Sequence, residues 1–115
     1  MAVDRNNLPE GLLEDIKAHL DITWSNHATD TKIRGMIADG MIYLNKKLGE
    51  DADYTADGTP RTLLKEYCRY ARDYALDVFE NNYLSQILSM QNERAVERYV
   101  AKAVQTEQGD LADIQ

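Results

Sequence analysis

Cysteine is nearly absent from this chain: its 115 residues hold one, Cys68. A single thiol excludes an intrachain disulfide and suits a reducing compartment. Proline is almost as scarce, at Pro9 and Pro60, and there are six glycines. So little punctuation favours long helices over many short strands. Positive charge is in deficit as well, with 20 acids against 13 Lys and Arg and a net charge of −7. Divided after Pro60, the chain has 11 acids to 6 bases and then 9 to 7, so neither half is basic. That balance argues against tight binding to nucleic-acid phosphates. No stretch approaches the roughly 20 apolar residues that span a bilayer, so no membrane partner is expected. Residues 1–10 carry acids and no apolar run; no signal peptide is read there, and synthesis in a cytoplasm is expected.

What is present is apolar content, 43% of the chain, enough for one core without a metal or disulfide staple. The expected fold is all-α: a small four-helix domain over residues 1–104, with a long loop between helices 2 and 3, then a polar acidic tail at 105–115. Helix 1 is expected from about Pro9 to Leu20, with Leu12, Leu13, Ile16 and Leu20 at helical spacing. Helix 2 is expected from Thr29 or Asp30, with Ile33, Ile37, Met41, Leu44 and Leu48 as its stripe and Gly49 as its stop. The segment from Glu50 to Gly58 is acidic and aperiodic, which reads as the loop. Thr59 and Pro60 read as cap and first turn of helix 3. Its stripe runs through Leu64, Tyr67, Cys68, Ala71, Tyr74, Ala75 and Val78, to a break at Asn81 and Asn82. Helix 4 is expected from about Leu84 to Val104.

No catalytic constellation emerges, and no enzyme is expected. His19 and His27 have no His or Cys at ligand spacing, so no zinc site is read. Asp51, Asp53 and Asp57 faintly resemble a calcium loop. Ala56 stands where the turn glycine belongs, though, and Thr62 where the bidentate Glu belongs. Cys68 lies in an apolar stripe, where thiols are usually inert. There is no glycine-rich phosphate loop. No metal and no cofactor are therefore expected.

The remaining candidates are surfaces. Tyr and Trp suit interfaces because one end can be apolar and the other wet; Trp24, Tyr54 and Tyr99 are singled out. Gly35 and Gly40 each cost about 1 kcal/mol inside a helix relative to Ala, which suggests close approach of another backbone. Near the C-terminus the charges are sorted by sign. Arg94, Arg98 and Lys102 form a basic column at spacing four, and Glu93 and Glu97 an acidic one. Arg94 and Arg98 are thus candidate anchors for an acidic partner. Helices 1 and 2 also allow a second reading, a helix-turn-helix with Thr29, Thr31, Lys32 and Arg34 at the groove. Its connection is longer than usual, and acids crowd it.

The order of elements resembles the phage head–tail connector, or adaptor, family, whose members stack as a ring beneath the portal of tailed phages. The matching segments are Leu13 to Ile22, then Asp30 to Gly40, then Leu44 to Gly49 before an irregular loop. Leu63 to Tyr74 and Phe79-Glu80-Asn81 follow. The resemblance covers roughly residues 8–100 and rests on order and spacing. It implies a structural virion protein at the head–tail junction, made in a bacterial host and joined into a ring of about a dozen copies. The implied partners are the portal, the next tail or stopper protein and further copies of itself, with DNA passing through the channel without tight binding. The C-terminal helix or tail is implied to contact the portal. The alternative is a DNA-binding or packaging module, either small-terminase-like or a helix-turn-helix regulator.

Overall fold

The computed structural model describes residues 2–114, with side chains described over 2–104. The expected tail at 105–115 lies outside the residues whose side chains are described. Four helices follow in order: α1 (Leu12–His19), α2 (His27–Leu48), α3 (Thr59–Arg72) and α4 (Leu76–Ile114). Among the described residues there is no strand, and the fold is all-α as the periodicity predicted.

α1 is shorter than expected. Pro9, Glu10 and Gly11 form a turn, closed by the Leu12 amide donating to the Pro9 carbonyl at 3.1 Å. Gly11 takes a left-handed conformation (φ 76°) that starts the helix. The end of α1 is a Schellman motif, in which Asp21 N–H donates to Ala18 O and Ile22 N–H to Lys17 O. α2 begins two or three residues before Thr29 and Asp30, because Asn26 caps it. The Asn26 side chain accepts from the amides of Ala28 and Thr29. Its stop at Gly49 is as read, with φ 84°.

The main departure lies between α3 and α4. The helix expected to continue through Val78 stops at Arg72, and the break at Asn81 and Asn82 does not exist. A second Schellman motif turns the chain there, with Tyr74 N–H on Ala71 O and Ala75 N–H on Tyr70 O. Tyr74 occupies the left-handed position usually held by glycine (φ 56°), so no sequence signal marked the stop. Tyr74 is therefore not a core residue but 88% exposed, and Val78 is exposed too. Asn81 and Asn82 sit on the solvent side of α4, where helix interiors tolerate them.

The core lies where α1, α2, α3 and the first half of α4 meet. Leu12, Ile16, Ile37, Leu44, Leu63, Leu64, Cys68, Phe79 and Ile87 are its fully buried members. Phe79 is the hub of an aromatic cluster, with the rings of Tyr43, Tyr67, Tyr70 and Tyr83 at 5.1–6.1 Å. Most of the tyrosines are thus consumed within the fold. Arg61 links three elements, reaching Asp15 of α1 at 2.9 Å and the carbonyl of Tyr54 at 3.0 Å.

A helix of 39 residues is about 58 Å long at 1.5 Å per residue. The principal extents, 63 × 29 × 21 Å, show that α4 sets the long dimension. No helix among the described residues is long and apolar enough to cross a membrane.

Candidate protein-interaction surfaces

Two of the singled-out residues are spent inside the chain. Tyr54 is buried, and its hydroxyl donates to Asn45 Oδ1 at 2.7 Å. Gly40 faces α3 so closely that a Cβ there would lie 2.7 Å from both Leu64 and Tyr67. What lies close to Gly40 is not another backbone but two side chains of this chain's own α3. At Gly35 a Cβ would meet only the guanidinium of Arg5, at 3.3 Å. Trp24 lies on the connection between α1 and α2, half exposed at 49%.

The loop after α2 is held by a buried amide. Asn45 Oδ1 accepts from the Ala52 amide at 3.0 Å as well as from Tyr54, and its Nδ2 reaches Asp51. Gln91 of α4 donates to Lys47 O at 2.7 Å, satisfying a carbonyl at the end of α2. Glu50 then meets α4, paired with the guanidinium of Arg94 and with Arg98 at 2.9 Å. Arg94 first and Arg98 second hold the Glu50 carboxyl below its ordinary range. Arg94 also reaches Glu97 at 3.1 Å. Neither Asn45 nor Glu50 was singled out from the sequence. The available signals were an amide within an apolar stripe and an acid directly after a helix stop.

An open cleft of about 430 Å³ lies between this loop and α4. Leu48 and Met90 contribute its apolar part, with Asp53, Asp57, Glu93 and Glu97 around it. The Thr55 hydroxyl first, and the Thr55 amide at 2.9 Å second, donate to Asp53 and lower its pKa. Glu50, Asp51 and Arg94 complete its polar lining. Cys68 is fully buried, and burial pushes its thiol up to about 12. It is a core side chain, as its stripe suggested. Among the described residues no three of His, Cys, Asp and Glu are grouped to hold a metal ion.

A long exposed surface lies on the far part of α4. Every residue from Ala95 to Val104 is exposed. Val96, Tyr99, Val100 and Val104 are among them, with Tyr99 at 75%. Large apolar side chains standing together in water mark an interaction surface. Arg94 and Arg98 sit at its root, turned towards Glu50, and Tyr99 projects away. The structure thus brings Arg94, Arg98 and Tyr99 together on α4, while Trp24 and Gly35 lie on other elements. Family models, curated protein sequences and solved structures give no match to this chain.

Proposed function

We propose that this chain is a structural connector subunit of a tailed phage, joining the portal to the tail as part of a ring around the DNA channel. The observation that carries the reading is the projecting α4, with exposed apolar side chains beyond a packed helical body. A helix built this way gains by burying that face against another subunit. The order of helices, which resembles the connector family, supports the same reading. So does the acidic balance: a surface of like charge lets DNA pass without holding it. A head-to-tail contact closes into a ring when its rotation divides the circle.

The test is electron microscopy of the full chain, alone and mixed with a tailed-phage portal protein, together with a DNA mobility shift at low salt. Closed rings with an open channel, alone or seated on the portal, are the expected result, with little DNA retained. Strong, salt-sensitive DNA binding without rings would overturn the proposal in favour of a packaging or regulatory module.

A further inference from the structure

We infer that the end of the body where the α1–α2 connection meets the end of α3 is a docking surface for an acidic, apolar peptide segment of a partner protein. One side chain of that segment fills a small pocket beside Arg72. The inference is independent of the connector reading.

The pocket holds about 170 Å³ and lies between Ile22, the N-terminal half of α2 and Arg72. Ile22 and Ile33 are buried, and Met36 is half-buried beside them, so its floor is apolar. Thr29, Lys32 and Arg72 supply a polar rim. Sites for cofactors and other small molecules start at roughly 300 Å³, so this pocket has room for a single side chain. An apolar floor rewards such a side chain and gives nothing to a bare inorganic anion.

The charge of the rim defines the visitor. The chain carries −7 overall, yet no carboxylate lines this pocket. Lys32 and Arg72 are both exposed, and among the described residues no carboxylate forms an ion pair with either. Asp21 and Asp73 line a neighbouring hollow together with Arg72 but make no ion pair with it. Arg72 donates to the Leu20 carbonyl at 2.6 Å. That bond ties the end of α3 to the α1–α2 connection and leaves the remaining guanidinium donors to a visitor. Two unmatched cations above an apolar floor complement a carboxylate set next to an aliphatic or aromatic side chain.

Two aromatic side chains extend the surface. Trp24, 49% exposed, stands two residues on from Ile22, and Tyr74, 88% exposed, two residues on from Arg72. Two residues span at most about 7 Å, so both stand close to the rim. Trp and Tyr are the side chains that most often anchor an interface, together with Arg. The backbone gives an independent pointer. Asp21 and Tyr74 are the only non-glycine residues with positive φ among those described, and they stand just past the ends of α1 and α3. Aspartate tolerates that conformation, but a bulky tyrosine does not. Folding alone favours glycine at position 74, since the ring buries almost nothing. Strain kept for a side chain that the fold does not use points to a contact outside the chain.

The chain's one tryptophan is Trp24, so the surface carries its own reporter. The experiment titrates the full chain with a set of short capped peptides that pair Asp or Glu with Leu, Ile or Phe, and with the same set carrying Lys in place of each acid. Acidic peptides should shift the Trp24 emission to the blue with saturation, and added salt should weaken them. The Lys set should not bind. K32E should weaken the best peptide by about tenfold or more, whereas K46E, the same charge change near the other end of α2, should leave it unchanged. Tyr74→Gly should weaken the peptide several-fold while leaving the fold at least as stable, a split that a merely structural tyrosine does not produce. Circular dichroism checks that each variant is folded.

Four results would overturn the inference. They are acidic peptides that all leave Trp24 unmoved up to millimolar concentration, a Lys set that binds as well, K32E and K46E acting alike, or displacement of the peptides by equal concentrations of inorganic phosphate or a DNA duplex. The last would make the pocket a simple anion site or part of a nucleic-acid surface.

Discussion

The hydroxyl of Tyr54, on the α2–α3 loop, donates a 2.7 Å hydrogen bond to the side-chain carbonyl of Asn45, which is itself 3% exposed within α2. The same oxygen accepts from Ala52. One buried amide therefore fixes the path of an otherwise aperiodic loop, and with it the position of Glu50 against α4. Burial raises the Tyr54 pKa well above 10, so the donor stays protonated at every ordinary pH.

Asn45→Ala should cost about 2–3 kcal/mol, because the Ala52 amide loses its acceptor and Tyr54 keeps only the longer contact to Met41 O. Tyr54→Phe should cost less, about 1 kcal/mol, since Asn45 still accepts from Ala52. Urea unfolding followed by circular dichroism measures both. Equal losses would show that the amide does not organise the loop.

Two glycines of α2 should respond to alanine with opposite signs. At Gly40 the new methyl would press on Leu64 and Tyr67, both locked in the core. Overpacking of that kind outweighs the gain in helix propensity, for a net loss of about 1–2 kcal/mol. At Gly35 only the exposed, flexible Arg5 must move, so Gly35→Ala should stabilise by up to about 1 kcal/mol. Thermal unfolding of the pair decides.

Tyr74→Gly should stabilise the protein by about 1 kcal/mol. Tyrosine is held at φ 56° with its side chain almost entirely in water, so glycine relieves backbone strain and loses little packing. A destabilised variant would mean that the ring makes contacts its exposure does not suggest.

Acid should weaken the fold through Asp15. Lys65 first, and Arg61 after the opposing effect of burial, hold its carboxyl below the usual 3.8. A carboxyl depressed in the folded state stabilises fully above its unfolded pKa. It loses that contribution as pH falls below about 4 and through the folded value. Glu80 beside Lys47 shifts in the same direction. Urea midpoints should therefore drop between about pH 5 and 3. Asp15→Asn should start lower at neutral pH and fall less steeply; an unchanged slope would remove Asp15 from the account.

The sequence by itself determined the all-helical class, the α2 stripe from Ile33 to Leu48, the Gly49 stop, the acidic loop and the inert setting of Cys68. Those features are local: a 3.6-residue period, a glycine at a helix end and the composition of one segment are written along the chain. Only the tertiary structure decided where α3 ends, because Tyr74 takes a glycine's conformation without being one. Only the fold could show that Tyr54 and Gly40 are enclosed by Asn45, Leu64 and Tyr67, since burial is a property of distant neighbours. The exposed apolar face of α4 likewise came only from the fold. Its exposure was hidden from the periodicity, which marks an amphipathic helix in the same way whether or not its own chain covers it.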